Sequence, residues 1–258
     1  MSINKKGALC LTFDNMGSAT EVGLGNRTDQ LADDPSLHIG YPRVLRLLDK
    51  LDLKATFFIE GWNALHNPEL VREIAGRGHE IGLHGWVHEV FHQLTPFDAE
   101  RLLRDAQAAF RSIGIEPKGF RAPGGKRGED LLNILRKLGL SYDSSVDEHA
   151  EATEPSMVDG DIPNIPWQWS MIDYYQYHMH PDGSQTPTQL EAVFSKALDA
   201  AAEKGSLVTF IFHVVVSGVD TECFEVMSRL LESAATSERL EVLTAGEIAI
   251  RTDDRPRA

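Results

Sequence analysis

The sequence predicts an α/β fold built on parallel strands, and three observations predict it. Short apolar, β-branched runs alternate with longer amphipathic segments about six times along the chain. That order requires parallel strands joined by helical crossovers, closed into a barrel or spread as an open doubly wound sheet. Reactive side chains also fall at the carboxyl ends of several predicted strands, where α/β barrels build their sites.

The predicted strands, in order, are ALCLTF at 8–13, KATFFI at 54–59, HEIGLH at 79–84, KGFRA at 118–122, SLVTFIFH at 206–213 and LEVLTA at 240–245. Helices are expected over 41–52, 67–77, 95–113, 128–138, 187–204 and 220–235, several of them opening with Pro or Thr in the first turn. Thr95 followed by Asp98 resembles a capping box. Two stretches break the rhythm. Residues 15–40 are rich in Gly, Asn and Asp, and 146–186 carry Pro155, Pro163, Pro166, Pro181 and clustered Trp and Tyr. Long irregular loops in a compact domain are usually functional. No repeat, low-complexity tract or linker interrupts 1–258, so a single domain is expected, with a frayed tail, TDDRPRA.

A chain of 258 residues buries a substantial core unaided. Its formal net charge of -14 repels phosphate backbones and anionic lipid headgroups, so nucleic acid and membrane partners are disfavoured and a neutral or cationic substrate is favoured. Cys10 sits in a strand-like run and Cys223 in a helix-like one, which favours two reduced thiols over a disulfide. The N-terminus lacks an apolar run of signal-peptide length, and no stretch reaches the about 18 apolar residues of a membrane span. The expected address is cytoplasmic.

The sharpest local motif is His84-Gly-Trp-Val-His88 at the end of a predicted strand. Two imidazoles at i and i+4 share a face if the turn is helical, as a metal requires. Among ten histidines such a pair also arises by chance. Asp14, Arg121 and His213 occupy other strand ends. Taken singly, Asp14 is a turn former, Arg121 a brace before Ala-Pro-Gly-Gly and His213 a core histidine. Together they form a less ordinary pattern.

Thr12-Phe13-Asp14-Asn15, Ala55-Thr56-Phe57-Phe58, Gly78-His79-Glu80-Ile81-Gly82 leading to His84 and His88, Arg121-Ala122-Pro123 and Phe212-His213 follow one another in order. The series resembles the polysaccharide deacetylase family (NodB homology, carbohydrate esterase family four), over about residues 8–245. The resemblance implies a distorted (β/α) barrel of seven or eight strands, which selects the barrel over the open sheet. It also implies a divalent ion, commonly zinc with cobalt, manganese or nickel as alternatives, held by one Asp and two His. The expected ligands are Asp14, His84 and His88. In the family the counterpart of His213 is the general acid and that of Arg121 positions the carboxylate base. A His2Asp set leaves open positions for water and a carbonyl oxygen, so amide hydrolysis follows.

The chain departs from that pattern where the family has two aspartates and this sequence has Asp14-Asn15. With Asp14 as ligand, the favoured assignment, the base would come from elsewhere, Glu89 or Asp147 being candidates. With Asp14 as base, the Asn15 amide oxygen is the weaker third ligand. The insert before His38-Ile39-Gly40-Tyr41-Pro42-Arg43, the Gly61-Trp62 pair and His-Gly-x-x-His-Glu at 84–89 are similar to an allantoinase-like, cyclic imide hydrolase-like branch. That branch implies a small-molecule substrate; the family at large implies a glycan. Asn15, Trp86, Pro123, Trp167 and Trp169 are the candidate substrate contacts, the two last by stacking on a ring or sugar face. An equally simple reading has the aromatics of 162–180 pin that loop to the barrel. His178 and His180 lack acidic or Cys companions and are not read as a metal site; His38, His66, His79, His92 and His149 are read as surface or structural. The functional expectation is a metal-dependent hydrolase of non-peptide carbon–nitrogen bonds, removing an N-acetyl group from a sugar or opening a cyclic amide. The competing expectation is a non-catalytic carbohydrate-binding barrel, kept alive by Asn15. The charge and the aromatics also permit a homo-oligomer.

Overall fold

The computed structural model describes residues 6–146, 154–158 and 161–253. Its strands are β1 (Gly7–Asp14), β2 (Thr56–Ile59), β3 (Glu80–Leu83), β4 (Gly119–Phe120), β5 (Tyr142–Asp143), β6 (Ser156–Val158), β7 (Ile162–Asn164), β8 (Leu207–His213) and β9 (Leu240–Leu243). Its α-helices are α1 (Ala19–Gly23), α2 (Tyr41–Leu51), α3 (Gly61–His66), α4 (Pro68–Gly76), α5 (Pro96–Ser112), α6 (Leu131–Leu138), α7 (Pro187–Lys204), α8 (Thr221–Thr236) and α9 (Ala245–Asp253).

The strands curl in the order β6-β7-β5-β4-β3-β2-β1-β8, every pair parallel except the β6–β7 hairpin. One edge of β1 pairs along its length with β8, while the other is shared, β9 taking Gly7–Cys10 and β2 taking Thr12–Asp14. Between β7 and β8, among the described residues, the ring is joined by the isolated bridge Ile172↔Ile211 and not by a strand ladder. This is a distorted barrel, as expected. The six predicted strands and six predicted helices are present with small shifts of boundary. Missed were β5, β6 and β7, which are two or three residues long and too short to show a period, and the helices α1, α3 and α9.

Alternation along the strands builds two apolar layers. Leu9, Leu11, Phe13, Phe57, Ile59, Phe210 and Phe212 join the helices in the large core, while Cys10, Phe58, Tyr142 and Ile165 cluster separately. Helix ends follow their sequence signals. Thr95 Oγ1 accepts from the Asp98 amide, and Thr186 with Gln189 forms a complete capping box at α7. Both cysteines are free, Cys10 buried and Cys223 partly so.

At the amino end of the strands sits a polar plug. Glu80 Oε2 accepts from Thr56 Oγ1 (2.8 Å) and the Gly246 amide (2.9 Å), and Glu80 Oε1 accepts from the Tyr142 hydroxyl (2.8 Å). No helix among the described residues is long and apolar enough to cross a membrane.

Candidate active site

The parallel register brings the reactive residues to one end of the barrel. Asp14, the last residue of β1, lies opposite His213, the last of β8, and opposite Phe58 of β2, two residues before Glu60. Leu83 pairs with Phe120, so the residues that follow, His84 and Arg121, leave adjacent strands side by side. Around the rim the order is therefore Arg121, His84, Glu60, Asp14, His213.

Arg121 is 1% exposed, and its guanidinium is satisfied entirely from within. Nη1 donates to Asp14 Oδ1 (2.7 Å) and Thr12 Oγ1 (2.8 Å), Nη2 donates to Ser144 Oγ (2.9 Å), and the group lies 4.2 Å over the Phe58 ring. A buried arginine is tolerated only with such pairing. The pair fixes Asp14 in one orientation.

His84 is buried, and its Nδ1 donates to the Arg121 carbonyl at 2.8 Å. Because a carbonyl only accepts, the proton is on Nδ1 and the Nε2 lone pair is free, the usual arrangement behind a metal-binding histidine. The His84 and His88 rings lie 5.1 Å apart. They converge through a tight turn, not the helical turn that i,i+4 spacing suggested. Gly85 and His88 both have positive φ, 77° and 71°, and Glu89 closes the turn by accepting from the Trp86 (2.8 Å) and Val87 (3.2 Å) amides. Burial, with the His84 charge a lesser cause, pushes His88 down to about 3, and burial, with the Arg121 charge a lesser cause, pushes His84 to about 3. Both are neutral near pH 7, the form that coordinates metal.

His213 is the opposite case. Burial works against its charge, yet the Asp173 carboxylate overcomes this and raises it above its ordinary value. Asp173 is fully buried. Its Oδ1 accepts from His213 Nδ1 (2.7 Å), and its Oδ2 from the His213 amide (2.8 Å) and Ser217 Oγ (2.6 Å). Nε2 is the nitrogen left to exchange a proton.

Among the described residues no group of three or more His, Cys, Asp and Glu side chains is gathered as a metal site. Of the expected ligands Asp14, His84 and His88, the two imidazoles converge, while Asp14 Oδ1 accepts from Arg121. Asn15, next in the chain, instead offers a donor. It sits at φ 67°, and its Oδ1 is buried without a hydrogen-bond partner. Two neutral imidazoles after β3 and an unengaged amide oxygen after β1, with β2 between them, lie at the same end of the barrel, and as a donor set without charge of its own they fit a divalent ion. Of the alternative bases, Glu89 is occupied by its turn and Asp147 lies outside the described residues, as does His149.

Of the candidate substrate contacts, Trp169 is 40% exposed and Trp86 half-buried, whereas Pro123 is buried. Trp167 is also buried, at 3% exposure, with its indole N–H donating to the Ser144 carbonyl (2.7 Å) and its ring pressed on Gly125. Its role is packing; Trp169, edge-on to it at 5.2 Å, is the face presented outward. Tyr174, 44% exposed, lies 5.5 Å from His213.

The 15–40 segment is ordered by buried Asp34, which accepts from Ser18 Oγ, Gln30 Nε2, and the Ser36 amide and hydroxyl. It reaches both sides of the rim. Gly23 lies so close to the Val87 carbonyl, and Gly40 to Val214, that a Cβ at either would overlap its neighbour.

Sequence reasoning missed Asp173 and Glu60. Asp173 is one acid within a Tyr-rich segment, 40 residues from its partner. Glu60 follows a strand as an ordinary turn residue would. Its position, the first after a predicted strand end, was the available signal.

Comparison with known proteins places the chain among related sequences. Residues 2–142 match the family described as polysaccharide deacetylase. A peptidoglycan deacetylase of Helicobacter pylori is 32% identical over 137 residues, which are 53% of this chain and 44% of that protein. The chain's matches span less than half the length of its leading curated relatives. A Mycobacterium smegmatis structure described as a candidate polysaccharide deacetylase is 24% identical, covering 100% of this chain and 97% of its own, with a TM-score of 0.83. The PuuE allantoinase structure is 16% identical, covering 97% and 91%, with a TM-score of 0.82. At these identities the two structures show the fold.

Proposed function

Because the chain belongs to the polysaccharide deacetylase family, we propose that it is a divalent-metal-dependent amide hydrolase that removes an N-acetyl group from an amino sugar. The observation that carries this reading is the convergence, at one end of the barrel, of the Asp14–Arg121 pair, the Asp173–His213 pair and two neutral imidazoles. His84, His88 and Asn15 would hold the ion. When bound, it would polarise the amide carbonyl and make a water acidic enough to attack near pH 7.

The remaining work belongs to side chains. Arg121 occupies Asp14 Oδ1, leaving Oδ2 to take a proton from the attacking water. This reading gives Asp14 the part of base, the alternative to its assignment as ligand. His213, kept protonated by Asp173, gives its Nε2 proton to the leaving nitrogen, so an amine departs in place of an amide anion. Trp169 offers a flat face for a sugar ring.

A second reading is opening of a cyclic amide by the same groups. It is favoured by the 15–40 segment, which touches the rim beside both His88 and His213 and suits a small substrate better than a polymer. Assay of N-acetylglucosamine oligomers, allantoin and succinimide-type rings with added zinc, cobalt or manganese separates the readings. Turnover of the oligomers alone supports the first, and turnover of the rings alone the second. No turnover of either, in protein that also binds no metal, leaves the non-catalytic barrel.

A further inference from the structure

The backbone around Asn15 is gripped from every side. Its amide donates to the Phe58 carbonyl (3.2 Å) and its carbonyl accepts from the Tyr41 hydroxyl (2.8 Å). The next residue is held at both its amide and its carbonyl. The Met16 amide donates to Glu60 Oε2 (3.1 Å), and the Met16 carbonyl accepts from Asn63 Nδ2 (3.2 Å), which also donates to Glu60 Oε2 (3.0 Å). All this restraint fixes a left-handed residue whose own Oδ1 has no partner. Non-glycine residues in that region persist only when their surroundings over-determine them, and they cluster at functional sites.

Glu60 is a poor choice for stability. It is fully buried, its Oε1 has no partner, and burial, with the Asp14 and Glu89 charges adding, pushes its carboxyl up to about 8. A carboxyl in such surroundings is costly to bury. What it does hold is the link between two rim segments. Its Oε2 fixes Met16, and the residues directly after it fix the histidine turn, Gly61 N donating to the Gly85 carbonyl (2.9 Å) and Trp62 N to the Trp86 carbonyl (3.0 Å).

We propose that Glu60 is a positioning residue for the candidate metal donors, its carboxyl setting the Met16 amide and through it the direction of Asn15 Oδ1 toward the ion held by His84 and His88. The proposal rests on the reading of Asn15 as a donor. Two variants separate grip from bulk. Glu60→Gln keeps an acceptor oxygen for Met16, whereas Glu60→Leu keeps volume and removes it.

In metal-free, isotope-labelled protein, E60L is expected to displace the Met16 backbone and Asn15 side-chain amide resonances, and E60Q to leave both near their wild-type positions. Titrated with cobalt(II), E60L should bind about tenfold or more weakly, while E60Q stays within about threefold of wild type. Unchanged resonances and affinity in E60L would overturn the proposal, as would an equal loss in E60Q. If E60L does not fold, Asn63→Ser releases the Met16 carbonyl and must displace the same two resonances, or the proposal fails. Wild-type protein that binds no cobalt sinks the donor reading of Asn15, and the resonances still decide whether Glu60 sets its position.

Discussion

The two ends of the barrel treat their enclosed carboxyls differently, Glu80 being partly buried and Glu60 fully so. At the amino end, Glu80 receives Thr56, Tyr142 and the Gly246 amide, so both of its oxygens are engaged. At the carboxyl end, Glu60 and Asn15 each retain a buried oxygen with no partner. A buried polar atom without a hydrogen bond costs about 1–3 kcal/mol, and a fold under selection for stability alone would remove it. The amino end satisfies its carboxyl, although His79 Nε2 beside it is likewise buried without a partner. The carboxyl end keeps bonding capacity in reserve for something the chain itself does not supply.

The largest test of that contrast is His84→Ala. It should cut activity by about a thousandfold or more, since it removes a donor to the ion that polarises the substrate, and metal content measured on the purified variant should fall with it. A variant that keeps both would break the contrast at its functional end.

Asp173→Asn comes next. Loss of a positioned general acid's partner should lower kcat about 100-fold or more. It should also move the alkaline limb of the pH profile. Asp173 holds His213 above its ordinary value against burial. Without that carboxylate the acid form is lost at a lower pH, so the limb shifts toward acid. A limb that stays in place, or shifts toward alkali, removes His213 from the acid role.

The amino end is tested by Tyr142→Phe. Leaving a partly buried Glu80 oxygen without its donor should cost about 1 kcal/mol in unfolding free energy, read by denaturant titration, with kcat and metal affinity unchanged. An effect on kcat would mean the two ends are not separable.

The smallest effect concerns Glu60. Its carboxyl titrates at about 8 in the folded chain against an ordinary 4.5, so between those values the folded state holds a proton that the unfolded chain has released. That contribution to stability is full below about 4.5 and is lost as pH rises through about 8. Asp14 and Glu89 are the charges facing it. Wild-type melting temperature, corrected by the E60Q variant, should therefore decline from pH 5 to pH 9. A flat difference would show that Glu60 is ionised when folded.

The legible parts of the molecule were those with local signatures. Strands of four or more buried residues and helices with caps carry their own periodicity, and Asp14, His84 and His213 were visible because each ends or follows such a strand. What escaped depended on contacts distant in sequence. The partner of Asp14 Oδ1 is a residue 107 positions away. Asp173 has meaning only beside His213, and Trp167 looked equivalent to Trp169 until the Ser144 carbonyl and Gly125 claimed its indole. The strands β5 to β7 are made by pairing with neighbours, not by propensity.

The near-open seam between β7 and β8 carries a consequence for how such a barrel can diversify. On that side β8 has no full strand neighbour. Thr209 Oγ1 donates to the Pro166 carbonyl and the His213 amide to Asp173 Oδ2, so one irregular segment both flanks His213 and displays Trp169 and Tyr174. Replacing that segment would retune the tilt of His213 and the adjoining surface together while the β1-centred ladder stays intact. The seam makes this stretch an exchangeable cassette, through which one scaffold could be turned from one amide to another.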